Sequence, residues 1–123
     1  MEEIVIDVWL YGDLAKYAGD AAKLSYANLQ VPLPMGGTIA MLLERVGLPT
    51  EERGITFING DLSAMVGMQP DLPHVLRDGD RVAFFDLLSM WPFQYRHGVA
   101  MIPEMSEVMQ SSEDGGIHHS YEP

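Results

Sequence analysis

The chain has 123 residues, enough for one domain with a single hydrophobic core and no covalent staples. It contains no cysteine, which excludes disulfides, thiolate metal ligands and a cysteine nucleophile. Eighteen acidic against seven basic residues give a net charge of −11, which argues against binding to nucleic acids or to anionic membrane surfaces. The acidic residues are scattered, so they are expected either to solvate the surface or to attract a basic partner.

No stretch of the chain approaches the roughly 18 consecutive apolar residues of a membrane-spanning helix. The first residues, Met1, Glu2 and Glu3, lack the basic and apolar regions of a secretory signal. These absences predict a cytoplasmic protein.

The first predicted strand has a clear alternation. Its even-numbered positions are apolar: Ile4, Ile6, Val8 and Leu10. This period of two is typical of a strand with one buried face. Asp13 is then a candidate N-cap for a short helix that ends at Gly19. A second, less regular strand is predicted over about residues 24–33, where prolines stop it.

The main helix is predicted over residues 38–46. Its apolar stripe has helical spacing: Ile39, Leu42, Leu43 and Val46. Thr38 is a good N-cap, and Gly47 stands where a left-handed residue ends a helix. Leu48 is expected to fold back onto Leu43, as in a Schellman motif.

Three more strands are predicted in the second half of the chain. Residues 55–58 and 62–65 flank Asn59-Gly60, the strongest short signal for a β-hairpin. After a loop rich in Gly and Pro, residues 81–85 form a nearly continuous apolar strand, expected to be central and buried on both faces. The whole pattern predicts an α+β roll: a mixed sheet of four to five strands with one main helix.

Four segments in this order resemble the MoaD/ThiS family of small β-grasp (ubiquitin-like) sulfur carriers. They are VWLYGDLAKYAG, GGTIAMLLERVGLP, ITFING and LRDGDRVAFF. The resemblance covers about residues 1–90 and implies a β-grasp domain there, with strands 4–10 and 81–85 adjacent and parallel at the sheet centre. Residues 91–123 are then a C-terminal extension, partly apolar over 91–109 and a flexible acidic tail over 110–123.

The resemblance also implies a function. Such a carrier serves molybdopterin or tungstopterin synthesis, thiamin synthesis or a related sulfur-transfer pathway, and it is not itself an enzyme. It binds no cofactor; an adenylating enzyme uses ATP in trans to activate a C-terminal Gly-Gly carboxylate. The partners implied are that adenylating enzyme, a synthase large subunit or an oxidoreductase.

The diglycine is missing where the family has it, since Met90-Trp91 follow the last strand and the chain continues. A second diglycine, Gly115-Gly116, becomes a carrier terminus only if the residues after it are removed. Otherwise it is a flexible linker in a polar segment. Sulfur-carrier chemistry therefore requires proteolytic processing of this chain.

An apolar segment around the end of the last strand supports an alternative function. Its candidate partner-binding residues are Phe85, Leu87, Leu88, Met90, Trp91 and Phe93. They are expected either to fold back onto the protein's own sheet or to grip another chain. In the second case the protein is a non-carrier β-grasp binding module or accessory subunit, and the other chain is a partner or a second copy in a homo-oligomer.

The remaining patterns are a group of apolar residues near the C-terminus and the four histidines. Five apolar residues have roughly helical spacing and predict a short amphipathic helix that covers the sheet or a partner: Met101, Ile102, Met105, Val108 and Met109. His74 and His97 are isolated, and His118-His119 lack a preorganised third ligand beyond Glu122. No metal site and no catalytic residues are predicted.

Overall fold

The computed structural model describes residues 2–23, 25–88 and 100–110. The strands are β1 (Glu3–Tyr11), β2 (Tyr26–Pro34), β3 (Arg53–Ile58), β4 (Asp61–Ala64) and β5 (Arg81–Asp86). Helix α1 (Ile39–Val46) connects β2 to β3, and helix α2 covers residues 103–110. Two 3₁₀ segments, Gly12–Ala21 and Thr50–Glu52, lie beside the strands. The chain is therefore an α+β protein with a five-stranded mixed sheet.

The sheet has the order β2-β1-β5-β3-β4. β1 and β5 are parallel at its centre, with Asp7 opposite Arg81 and Leu10 opposite Phe84. The other neighbouring strands are antiparallel. This confirms the prediction that the first and last strands are adjacent and parallel.

Helix α1 packs on one face of the sheet with Ile39, Leu42 and Leu43 buried, while Val46 is only half-buried. The Thr38 hydroxyl accepts a hydrogen bond from the Met41 amide at 3.3 Å, as an N-cap does. The signals at the end of the helix are confirmed as well. Gly47 has φ 81°, and the Leu48 amide donates to the Leu43 carbonyl at 3.0 Å.

Three sequence predictions need correction. The segment after β1 is a 3₁₀ helix in which Asp13 is not the N-cap, and Gly19 lies inside it with a non-helical backbone. β2 begins and ends later than expected, at Tyr26 and Pro34. Among the described residues β5 is buried on one face only, since Val82 and Phe84 are buried while Arg81 is exposed. The sheet therefore has a core face and an open face.

The Asn59-Gly60 turn has the expected geometry, with φ 52° and 85°. Both values lie in the left-handed region, as a type I′ hairpin turn requires.

Residues 100–110 lie against the outer edge of β4. The Leu62 amide donates to the Ala100 carbonyl at 2.8 Å, and the Ile102 amide donates to the Leu62 carbonyl at 3.1 Å. Ile102 and Met105 are buried in the same core as the sheet and α1. The predicted amphipathic helix thus packs on the protein's own sheet. None of the helices in the described ranges is both long and apolar enough to cross a bilayer.

Candidate functional site: the open face of the sheet

A row of aromatic rings crosses the open face of the sheet at one end. We call it the aromatic ladder, and its members are Tyr26, Trp9, Tyr11, Phe85 and Phe57. Tyr11 and Phe85 are the closest pair, with ring centroids 4.6 Å apart and planes at 14°. Trp9 is near-parallel to both tyrosines at about 6 Å, and Phe57 meets Phe85 edge to face at 6.1 Å. Four strands contribute to this one continuous surface.

The alternation of each strand explains why these rings share a face. Trp9 and Tyr11 are odd-numbered residues of β1, so their side chains lie on the face opposite to that of the buried even-numbered residues. The register between β1 and β2 places Tyr26 on the same face, because Tyr26 lies directly across from Tyr11. Each side chain is half-buried or exposed, and Tyr26 is 40% exposed. The described helices pack on the opposite face, so none of them covers the ladder.

Beside the ladder lies a hydrogen-bonded group that we call the Asp7 array. It comprises Asp7, Trp9, Asn28, Gln30 and Arg81. Oδ1 of Asp7 accepts from the amides of Asn28 at 2.7 Å and Gln30 at 2.8 Å. Oδ2 accepts from the indole of Trp9 and from Nε of Arg81, both at 3.2 Å. Four donors therefore converge on one carboxylate.

These donors act on the ionisation of Asp7. The hydrogen bond from Asn28 has the largest effect and lowers the pKa of the carboxyl below 3.8, against a smaller opposing effect of burial. Trp9, Gln30 and Arg81 lower this pKa further. The guanidinium of Arg81 also lies over the Trp9 ring at 6.0 Å. At neutral pH the Asp7 array is therefore a balanced pair of opposite charges beside an apolar surface.

A shallow depression of about 610 Å³ joins the two parts of the open face. It is lined at one end by Tyr11, Phe57 and Phe85 and at the other by Asp7 and Arg81. Apolar contact and directed hydrogen bonds are thus available within one concave surface, a common composition for a binding site.

The predicted partner-binding residues lie partly on this surface. Phe85 is a member of the aromatic ladder, and Leu87 and Leu88 follow it with 50% and 85% exposure. Met90, Trp91 and Phe93 lie outside the described residues, as do Gly115 and Gly116. Sequence reasoning missed the other four ladder rings as site residues. The signal was available in β1, where two aromatic residues occupy positions that alternate with the buried ones.

The end of β5 is held in a fixed position by Asp86. Its carboxylate accepts a hydrogen bond from the backbone amide of Asp13 at 2.7 Å. Gly12 has φ 66°, in the left-handed region that favours glycine, and a Cβ atom there would also lie 2.2 Å from Oδ2 of Asp86. Gly54 is equally restricted, since its Cβ would lie 2.5 Å from the Asp86 carbonyl oxygen. Asp86, the last residue of β5, is therefore tightly packed where the chain leaves the sheet beside the aromatic ladder.

Both edges of the sheet are poor places for a partner's strand. Residues 100–102 already occupy the edge of β4. At the opposite edge, β2 contains Pro32 and Pro34, which have no amide hydrogen to donate. A partner therefore has better access to the open face than to either edge.

An ion pair and a histidine–carboxylate contact away from this face have structural roles. Arg53 and Asp71 are completely buried and form a bidentate pair at 2.7 and 2.8 Å. Ser63 adds a third hydrogen bond to the Asp71 carboxylate at 2.8 Å. The prediction that His74 is isolated was wrong, because its Nδ1 lies 2.7 Å from Oε2 of Glu104. This contact connects the loop between β4 and β5 to α2.

The described part of the chain brings together no group of three side chains able to hold a metal ion. Comparisons with protein-family models, with curated proteins and with solved structures each found no match to this chain.

Proposed function

We propose that this chain is a β-grasp domain that works by binding a protein partner through its open face. The strand order and the single long helix connection between β2 and β3 support the β-grasp assignment. The observation that carries the function is the aromatic ladder, five rings on a face that no described helix covers. In this role the domain is an accessory or adaptor subunit rather than an enzyme.

The energetics of the ladder favour a protein-sized contact. An aromatic side chain contributes about 150–250 Å² of burial, and each Å² removed from water is worth roughly 25 cal/mol. Four of the rings are already partly buried and Tyr26 is 40% exposed, so covering the area that remains in water is worth on the order of 5 kcal/mol before the costs of association. Rings of this kind are the usual anchors of protein interfaces.

The net charge of −11 adds a preference among partners. Long-range attraction speeds the encounter with a basic surface and slows that with another acidic one. It also opposes pairing of two copies of this chain, which repel each other. We therefore propose a partner with basic residues around an apolar patch, in the cytoplasm.

Capture from the native host tests this function. The tagged wild-type chain is compared with Tyr11→Ser/Phe85→Ser, which removes the closest pair of the ladder. The matched control is Met41→Ser, an exposed apolar residue of α1 on the other side of the sheet. We expect one protein to be captured by the wild type and the control and lost with the double variant, with all three folded by circular dichroism.

Two results would contradict the proposal. Equal capture by all three chains would show that the open face does not bind the partner. A wild-type dimer in sedimentation that the double variant converts to a monomer would instead assign the face to a second copy.

The family resemblance supports a second function, a MoaD/ThiS-like sulfur carrier or its precursor. Gly115-Gly116 is the feature that favours it, because processing there would give the required terminal diglycine. The terminus would then follow α2 rather than β5, six residues after residue 110, the last described residue of that helix. An adenylating enzyme would supply ATP chemistry in trans.

Mass spectrometry of protein from the native host separates the carrier from the binding module. The carrier function predicts a form that ends at Gly116, together with a species about 16 Da heavier in which sulfur replaces one oxygen. Protein that ends uniformly at Pro123 would eliminate the carrier function and leave the binding function untouched.

A further inference from the structure

We infer that Asp7 is a positioning residue of the open face. It holds the side chains around it so that this face presents hydrogen-bond acceptors over β2 and hydrogen-bond donors over β5. The inference rests on the proposed partner-binding function, but its first experiment needs no partner. Asp7 itself is largely enclosed, with a side chain 23% exposed, and it acts through the side chains that it holds.

On the β2 side of Asp7 the array presents acceptors. The amide nitrogen of Asn28 donates both to Asp7 and to the Val8 carbonyl, at 2.7 and 3.0 Å. The amide nitrogen of Gln30 donates to Asp7 at 2.8 Å. Because the nitrogens are turned toward Asp7, the two amide oxygens remain as acceptors that no hydrogen bond among the described residues uses.

On the β5 side the array presents donors. Nε of Arg81 is fixed to Asp7 at 3.2 Å, and the guanidinium lies over the Trp9 ring. Its two terminal nitrogens make no hydrogen bond within the described ranges, and the side chain is 65% exposed. A guanidinium held at Nε offers these remaining N–H groups in a planar, directed fork.

This polarity defines the chemistry of the partner segment. A segment that crosses the open face meets acceptors over β2 and donors over β5, with the aromatic ladder beside them. An extended polypeptide backbone supplies both complementary groups, its N–H toward Asn28 and Gln30 and its C=O toward Arg81. An apolar side chain of the same segment then lies on the ladder.

Comparing Asp7→Asn with a charge control separates the effect of the hydrogen bonds that Asp7 accepts from the effect of its negative charge alone. The amide is isosteric with the carboxylate, but its NH₂ group replaces one acceptor oxygen and faces two donors. Two of the four hydrogen bonds must therefore break, whichever way the amide turns. Asp7→Ala removes all four, and Asp20→Asn is the control for the same change of charge at an exposed position.

NMR of the full chain labelled with ¹⁵N measures the result directly. In the wild type we expect slow exchange with water for the Trp9 indole N–H and the Arg81 Nε–H, with the Trp9 signal assigned by comparison with Trp91→Phe. In Asp7→Ala both should exchange about tenfold faster, as expected when a hydrogen bond is lost. Asp20→Asn should match the wild type.

Unchanged exchange and unchanged side-chain shifts of Asn28, Gln30 and Arg81 in Asp7→Ala would overturn the inference. Where a partner is captured, Asp7→Asn should weaken its binding about tenfold, while the variant stays folded by circular dichroism with only a small fall in melting temperature. Equal binding by that variant would also overturn it. Failure to capture any partner counts against the proposed function alone, because the exchange experiment still decides the role of Asp7.

Discussion

The two faces of the sheet are built from the same strands and differ in what holds them. On the core face, Val82 and Phe84 of β5 are buried in one cluster with residues of α1 and α2 and with the even-numbered residues of β1. On the open face, Phe85 of the same strand contacts the rings of Tyr11 and Phe57 beside it, and none of the described helices covers it. The core face should therefore provide most of the stability, and we expect the removal of rings or hydrogen bonds from the open face to cost the fold less.

Phe84 and Phe85 give the sharpest test of this difference, since they are neighbours of the same type. Phe84 is completely buried, so Phe84→Ala should lower the free energy of unfolding by about 3–5 kcal/mol through lost burial and a cavity. Phe85→Ala should cost about 1–2 kcal/mol, mainly its contacts with Tyr11 and Phe57. Urea unfolding of both variants measures the two values. Equal losses would mean that the open face is covered as fully as the core.

The charged pairs of the protein show the same contrast. Asp71→Asn would leave the buried Arg53 guanidinium without its counter-ion and should cost about 3 kcal/mol or more. Asp7→Asn removes a partly exposed pair with Arg81, whose side chain is 65% exposed, and the expected cost is at most about 1 kcal/mol. Thermal or urea unfolding of the two variants gives the comparison. A larger loss for Asp7→Asn would assign the Asp7 array to folding rather than to binding.

The elements that depend on local sequence were predictable. The alternation of β1, the caps of α1 and the Asn59-Gly60 turn each have a signal within a few residues, and each was found as expected. The central parallel pair of strands was expected from the family resemblance rather than from any local signal, and the structure has it. Local rules failed at Asp13, because its backbone amide is used by Asp86, which is 73 positions away.

The open face was harder to predict for a related reason. The position of Trp9 and Tyr11 opposite the core follows from alternation alone, but their proximity to Tyr26 and Phe85 depends on the register of β2 and β5. The Asp7 array likewise joins Asp7 to residues of β2 and β5 that are 21 to 74 positions away. The apolar run after β5 is the stronger local signal in the sequence, so the predicted site lies there and not on β1. Phe85 is the one residue common to the predicted site and the aromatic ladder.

The smallest expected effect concerns acid, and it tests whether Asp7 is held as the structure indicates. Because the folded-state pKa of Asp7 lies below 3.8, its ionised form stabilises the fold above that pH. This contribution should be lost as pH falls from about 3.8 through the folded-state value. Urea unfolding of wild type and Asp7→Asn should therefore differ by a small constant amount at pH 5–7, and the difference should shrink below about pH 3.8. Asp20→Asn controls for the change in net charge. A difference that grows on acidification would mean that folding raises the pKa of Asp7, which the four donors around its carboxylate do not allow.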